Sequence, residues 1–336
     1  MTDNLNVPFI LTTPLITVVI PTRDRQAKIL RCLESLVQQT ATNFEVIVVN
    51  DGSADQTQVV LAEFAEGNWP FVLQVINHPQ PQGANPSRNE AIRAAKGDLI
   101  AFLDDDCTAD SRWLEELQKP FGHANIAATS GHVDNTAVSN LWERFFIGQH
   151  RVSSRKRDNV FVANRIVAGN MLVCRSHLRR ELDVDRADVD TDVATSARGD
   201  EEGLRIDILR AGKLIAHVPA AICYHDHPYR FRSFCRQAFR SGRSTARLGR
   251  KYRLTPRWEL LALAAATICL PLAVWRIEFA VLGIACFALF AAAVVYNELR
   301  KKRKTIGQTI QTLPALLIYY GLRTIGYVKT MLSRRT

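Results

Sequence analysis

GDLIAFLDDD, residues 97 to 106, is the stretch from which the fold can be read. From Asp98 to Leu103 it is short, apolar and free of breakers, the pattern of a strand buried on both faces. It then runs straight into three consecutive carboxylates, Asp104, Asp105 and Asp106. Working outward, Leu15 to Ile20 (LITVVI) reads as another buried strand, ended by Pro21, and Phe44 to Val49 as a third, ended by Asn50, Asp51, Gly52 and Ser53. Between the last two, Ile29, Leu33, Leu36 and Val37 recur at helical spacing while Arg25, Lys28, Arg31 and Glu34 take other faces. Asp55 is placed to cap the following helix. Val72 to Ile76 reads as a strand and Pro86 to Ala95 as a helix. Strands alternating with helices make βαβ units, so the front of the chain is expected to be an α/β, Rossmann-like sheet of mostly parallel strands.

Ligands of such sheets collect beyond the carboxyl ends of the strands. Those ends carry Pro21, Thr22 and Arg23, then Asp51, then the three aspartates. Neither GxGxxG after the first strand nor GxxxxGK[ST] occurs, which excludes a dinucleotide fingerprint and a P-loop. Three adjacent carboxylates repel one another unless a cation neutralises them, and hard oxygen ligands select Mg²⁺ or Mn²⁺ with a diphosphate completing the shell. Strand alternation would send Asp104 and Asp106 to one side and Asp105 to the other.

Charge divides the 336 residues: 1–229 hold 23 Lys/Arg against 30 Asp/Glu, and 230–336 hold 20 against 3. The basic part also contains the long apolar runs, which points to anionic membrane lipids and away from nucleic acid. Trp258 to Trp275 and Ile277 to Tyr296 are each long enough to cross a bilayer, so two membrane helices in a hairpin are expected over 258–297. Arginines and lysines flank both ends, which would place those ends and the catalytic body in the cytoplasm, at the inner or plasma membrane. Before the hairpin, arginines at 232, 236, 240, 243, 247 and 250 line one side of a helix, with Phe234, Ala238, Thr245 and Leu248 opposite. Residues 230–257 thus read as a basic interfacial helix whose continuity Gly242 weakens, and 298–336 as a basic interfacial segment. No leader peptide is expected from Met1 to Pro14, and the seven scattered cysteines read as reduced.

Five blocks in order carry a family resemblance: VVIPTRDR (18–25), FEVIVVNDGSADQT (44–57), GANPSRNEAIRAAKGDLIAFLDDD (83–106), VAGNMLVCR (167–175) and GDEEGLRIDILRAG (199–212). Together they resemble family-2 glycosyltransferases of the GT-A fold over roughly residues 15–250, and 1–229 is expected to form the catalytic domain. The resemblance implies that Asp51 reads the nucleotide base, that Pro21, Thr22 and Arg23 lie beneath the nucleoside and that Arg88 stands beside the nucleotide. It implies that Asp104 and Asp106 form the DxD pair that positions the donor and its metal, with Asp105 between them, and that Gly169, Asn170 and Met171 line the sugar and acceptor side. The general base falls in the block where Asp200 and Glu201 stand for Glu and Asp; Glu201 takes that position, with Asp200 and Glu202 as alternatives. His225, just after an expected strand from Ala216 to Tyr224, is a further metal candidate.

The expected activity is an inverting, metal-dependent transfer of a sugar from a nucleotide-diphosphate donor, UDP-linked, to a cell-envelope saccharide, glycolipid or polyprenyl-linked acceptor. Processive members carry QxxRW; here Gln237 to Ser241 gives QxxRS, which favours addition of one or a few sugars. A sugar nucleotidyltransferase and a non-catalytic membrane scaffold are the rivals. Neither predicts release of UDP from a UDP-sugar. Asp183 to Gly199 reads as a mobile loop over the site, and Leu313 to Leu332 as interfacial.

Overall fold

Strand β1 (Ile16–Thr22) is buried along its whole length, as its unbroken apolar pattern requires. The structure is a computed structural model and describes residues 15–123, 125–135, 140–150, 154–157, 160–163, 166–178, 200–225, 230–301 and 305–333. Along the chain β1 is followed by α1 (Gln26–Val37), β2 (Phe44–Asn50), α2 (Thr57–Ala65), β3 (Val72–Asn77), α3 (Ala84–Ala94) and β4 (Leu99–Leu103). Then come β5 (Cys107–Ala109), α4 (Trp113–Gln118), β6 (Ile126–Asn135), α5 (Leu141–His150), β7 (Ser154–Arg157), β8 (Val160–Ala163), β9 (Asn170–Cys174), α6 (Asp200–Arg210) and β10 (Leu214–His225). The strands form one sheet in the order β3-β2-β1-β4-β9-β6-β10-β8-β7, with β5 paired to β10. The β3-β2-β1-β4 half is parallel throughout, and β9 enters antiparallel between β4 and β6. The sheet is therefore mixed, with a parallel front half, as the resemblance to the GT-A fold implies.

Alternation along the strands builds a core on each face. Val18, Ile20, Val46, Val48 and Leu103 pack with Ile29, Leu33 and Leu36 of α1 and Leu61 and Phe64 of α2. Val19, Ile47, Val49, Ile100 and Phe102 pack with Ala91 of α3 and Leu204 and Ile208 of α6. Each buried Val, Leu, Ile or Phe among them contributes roughly 1.5–3 kcal/mol relative to exposure. Two sheet faces covered by helices leave only the strand ends open to a ligand. Helix α3 begins two residues before the expected Pro86, which sits in its first turn where a missing N–H costs nothing.

The described residues divide into two compact units: 15–135 with 154–225, and 140–150 with 230–333. Helix α5 therefore leaves the body in which the sequence placed it. Its Phe145 packs with Phe234, Leu260 and Tyr319, an aromatic set that its own unit supplies. The other helices of this unit are α7 (Phe231–Tyr252), α8 (Trp258–Leu272), α9 (Ile277–Tyr296), α10 (Ile306–Gln311) and α11 (Leu313–Leu332). Helix α7 runs unbroken through Gly242, where the Arg323 carbonyl of α11 leaves no space for a Cβ; Gly326 of α11 meets the Phe239 carbonyl in the same way. The buried stripe of α7 is accordingly Phe234, Ala238, Gly242 and Ala246, and Thr245 and Leu248 lie off it. Small residues at i, i+4 spacing let the two backbones approach.

The expected pair of membrane spans is reduced. Helix α8 has 15 residues, about 22 Å of rise, short of a hydrocarbon core of roughly 30 Å. Among the described residues one helix, Ile277–Leu299, is long and apolar enough to cross a membrane. Helix α8 lies against it, with Leu270 packed onto Gly283, while Val274, Trp275 and Ile277 around the turn are exposed. The loop expected over 183–199, together with Asp226 and His227, lies outside the described residues.

Candidate active site

Three strand ends meet here, and the connections are made by side chains whose partners lie far off in sequence. At the end of β1, Asp24 adopts a left-handed backbone with φ 52°, which Asp tolerates better than most residues. Its N–H donates to Ser53 Oγ at 3.0 Å, and its Oδ1 accepts from the Ala54 N–H at 2.7 Å. The Arg25 N–H donates to Thr57 Oγ1 at 3.0 Å. Asp55 accepts from the Thr57 N–H at 2.9 Å and from the Gln26 N–H at 3.4 Å, so it serves the starts of two helices. The SADQT segment is thus a clamp on the β1 loop as well as a helix start.

Asp51, at the end of β2, is 3% exposed. Its Oδ1 accepts from His78 Nδ1 at 2.8 Å and from the Gln82 N–H at 2.7 Å; its Oδ2 accepts from the Gly83 N–H at 2.7 Å. Gly83 opens α3 with φ 104°, a conformation that favours glycine. His78 reaches onward through Nε2 to Glu90 Oε2 at 2.5 Å. An imidazole held between two carboxylates must donate from both nitrogens, which makes it a cation. Burial alone would lower the His78 pKa; its hydrogen bonds to Asp51 and Glu90 outweigh that and raise it.

From Gly83, helix α3 carries Arg88, 4% exposed, whose Nη1 donates to Asn85 Oδ1 at 3.2 Å and whose Nη2 donates to Asp104 Oδ1 at 2.7 Å. Asp51 therefore sets the helix that sets Asp104. On the other side of Asp104, a Cβ built on Gly169 would lie 2.5 Å from Asp104 Oδ2. A side chain at position 169 would displace the Asp104 carboxylate.

The three aspartates do not alternate as a strand would, because β4 ends at Leu103 and they form a turn. Asp104 turns to Arg88. Asp105 turns inward, accepts from Thr22 Oγ1 at 2.8 Å and lies 3.7 Å from Arg25 Nη1. Burial pushes its carboxyl up to about 7, against the opposing pull of Arg25 and Thr22. Asp106 accepts from Arg25 Nη1 at 2.7 Å and lies 3.3 Å from His225 Nε2 at the end of β10. Burial lowers the His225 pKa, but the adjacent Asp106 and Asp104 more than reverse this, and the net direction is upward.

The donor set decides whether a divalent cation fits. The ligand atoms of Asp106, Cys107 and His225 lie within 4.8 Å of one another. A carboxylate oxygen with an imidazole nitrogen suits Mn²⁺ better than Mg²⁺, which prefers oxygen alone. Cys107 is 2% exposed and burial pushes its thiol well above the ordinary range, so it stays protonated and is a core residue. Asp106 and His225 fit a cation that takes its remaining ligands from substrate and water.

Other expected residues fall elsewhere. Asn170 is wholly buried: Trp113 Nε1 donates to its Oδ1 at 2.9 Å, and its Nδ2 donates to the carbonyls of His132 at 2.9 Å and Ala221 at 3.1 Å. Met171 is 2% exposed within the core behind the sheet. Their side chains knit β9 to its neighbours, and only Gly169 of that trio touches the aspartates. Glu201 is half-buried in the first turn of α6, which opens with Asp200, while Glu202 is tied to Arg205 at 2.6 and 2.7 Å. Pro21 and Thr22 are buried at the end of β1, and Arg23 Nε lies 3.3 Å from Asp24 Oδ2. Arg25, His78 and Glu90 carry the site's wiring without having been singled out as site residues by the sequence. Arg25 stands 81 positions from Asp106, so no local pattern links them.

Known proteins are similar to this chain in sequence and in fold. Residues 17–179 match the model of glycosyl transferase family 2. Glycosyltransferase AglE of Haloferax volcanii is 28% identical over 168 residues, covering 46% of this chain and 55% of that protein. The pre-mycofactocin glycosyltransferase of Mycobacterium tuberculosis is 28% identical over 236 residues, 68% of this chain and 46% of that protein. The chain thus spans about half the length of these curated relatives. Among solved structures, the mannosyltransferase PcManGT from Pyrobaculum calidifontis, in complex with GDP-Man and Mn²⁺, superposes with a TM-score of 0.58 at 16% identity, over 96% of this chain and 88% of that one. That likeness concerns the fold. Residues 17–179 therefore carry a glycosyl transferase family 2 domain, which runs through the very strands that bear Asp51, Asp104 and Asp106.

Proposed function

We propose that this protein is an inverting glycosyltransferase that moves a sugar from a nucleotide-diphosphate donor, UDP-linked, to a cell-envelope saccharide, glycolipid or polyprenyl-linked acceptor. The observation that carries this reading is the continuous relay from Asp51 through Gly83 and Arg88 to Asp104, ending beside Asp106 and His225. On this reading the relay would serve a nucleoside, a phosphate and a cation in turn. Asp51 keeps one acceptor position on Oδ2 beyond its three described bonds, enough for a base N–H. Arg88 fixes the Asp104 carboxylate so that its second oxygen faces the donor sugar. A Mg²⁺ or Mn²⁺ ion held by Asp106 and His225 would neutralise the departing diphosphate.

Glu201 takes the acceptor hydroxyl's proton as the oxygen attacks the anomeric carbon opposite the leaving group, which inverts that centre. Glu202 is committed to Arg205, so Asp200 is the alternative base. Helix α9, with α8 beside it and the arginines that precede α8, anchors the chain to the cytoplasmic leaflet of the plasma membrane through anionic lipids. Binding of GDP-Man by PcManGT supports a nucleotide-sugar donor and keeps the guanine nucleotides in the test.

The test is a panel of UDP- and GDP-sugars incubated with the detergent-purified full chain, Mn²⁺ and membrane lipid extract, with nucleoside diphosphate release and product mass both read. Donor-dependent release with a matching mass increment on a lipid or saccharide is expected. Pyrophosphate release from a nucleoside triphosphate and a sugar phosphate would establish the nucleotidyltransferase instead.

A further inference from the structure

Arg25 occupies the carboxylate on which the cation reading depends. Its Nη1 lies 2.7 Å from Asp106 Oδ2 and 3.7 Å from Asp105 Oδ1, and the three side chains are only 19%, 9% and 11% exposed. The contact is held from behind. The left-handed turn at Asp24, clamped by Ser53 and Ala54, and the Arg25 N–H on Thr57 Oγ1 fix where the side chain starts. We propose that Arg25 is the internal counter-cation of Asp106: it opposes binding of a bare divalent ion and yields the carboxylate only when a diphosphate arrives to take its guanidinium. Cation and nucleotide would then bind cooperatively.

The charges decide the direction. Three carboxylates at 104–106 against the guanidiniums of Arg25 and Arg88 leave one negative charge when all are ionised. A dication alone turns that balance positive; a diphosphate bound with it turns it negative again. A guanidinium is suited to the exchange, because its planar fork fits carboxylate and phosphate oxygens alike. By linkage, whatever factor the nucleotide contributes to cation affinity, the cation returns to the nucleotide.

This inference rests on the cation site proposed above, and the experiment separates the two. Free Mn²⁺ is measured by electron paramagnetic resonance during titration of the detergent-purified full chain, with and without UDP, for the wild type, Arg25→Met and Arg25→Lys. In the wild type, UDP should tighten Mn²⁺ binding by at least about tenfold, the scale expected for removing one charge repulsion at close range. Arg25→Met should bind bare Mn²⁺ at least about tenfold more tightly than the wild type and lose most of the UDP effect, whereas Arg25→Lys retains it. Equal bare-ion affinity in wild type and Arg25→Met would overturn the counter-cation role while leaving the site intact. If Arg25→Met does not fold, the wild-type titration alone decides, since independence of Mn²⁺ and UDP binding is incompatible with the proposal. No Mn²⁺ binding in any state would remove the cation site itself, and this inference with it.

Discussion

Replacing Asp51 by asparagine removes one acceptor oxygen from a carboxylate that is 3% exposed and holds three hydrogen bonds. The amide oxygen can keep the Oδ1 pair, His78 and Gln82, but the amide nitrogen then points its hydrogens at the Gly83 N–H. Turned over, it keeps Gly83 and opposes two donors. Either way at least one buried backbone donor is orphaned, and the His78 cation loses a charged partner. Hydrogen bonds to charged groups are worth about 1.5–3 kcal/mol, and an orphaned buried group costs a further 1–3, so the expected destabilisation is about 2.5–6 kcal/mol. Urea unfolding of the detergent-purified chain, followed by tryptophan fluorescence, reads this, and hydrogen exchange at Gln82 and Gly83 localises it. Nucleotide affinity should fall as well, because the start of α3 and hence Arg88 loses its tether. A loss of affinity with less than about 1 kcal/mol of destabilisation would show that Asp51 serves the ligand alone and would refute the scaffold role argued from its three bonds.

Gly169→Ala places a methyl 2.5 Å from Asp104 Oδ2, which must swing off Arg88; donor affinity by calorimetry should fall by about tenfold or more with circular dichroism unchanged. Glu201→Gln should spare donor binding and reduce transfer by on the order of 10² or more, and unchanged turnover would move the base to Asp200. His78 gives a pH dependence of defined sign. Its folded pKa is raised above the ordinary 6.5, so its contribution to stability is complete below that value and is lost as pH rises through the folded pKa. The urea midpoint of the wild type should therefore fall over that window relative to His78→Gln; parallel profiles would show that the histidine is not charged between its two acids.

Much of the frame was legible from periodicity. The short, largely apolar, β-branched runs at 16–20, 44–49 and 99–103, each ended by a breaker or a polar cluster, read as strands buried on both faces, and the helical spacing of Ile29, Leu33 and Leu36 places α1 on one face of them. Those are properties of a few neighbouring residues, so they survive without knowledge of the rest. Less was legible where one pattern permits two structures. Asn170 and Met171 read as site residues because the family resemblance sets them with Gly169 on the sugar and acceptor side, yet β9 inserts between β4 and β6 and both side chains are buried. Leu141 to His150 read as part of the catalytic body because of its position in the chain, whereas its aromatic face found Phe234 and Tyr319.

What the sequence by itself determined is the order of buried strands and covering helices and the gathering of acids at the strand ends, since hydrophobic alternation is written locally and burial enforces it. What only the tertiary structure decided is the pairing of charges: Arg25 with Asp106, Arg88 with Asp104, His78 with Asp51 and Glu90. These partners stand 12 to 81 positions apart. A charged side chain takes whichever opposite charge the folded backbone brings within reach, and that choice is made only after the strands have assembled.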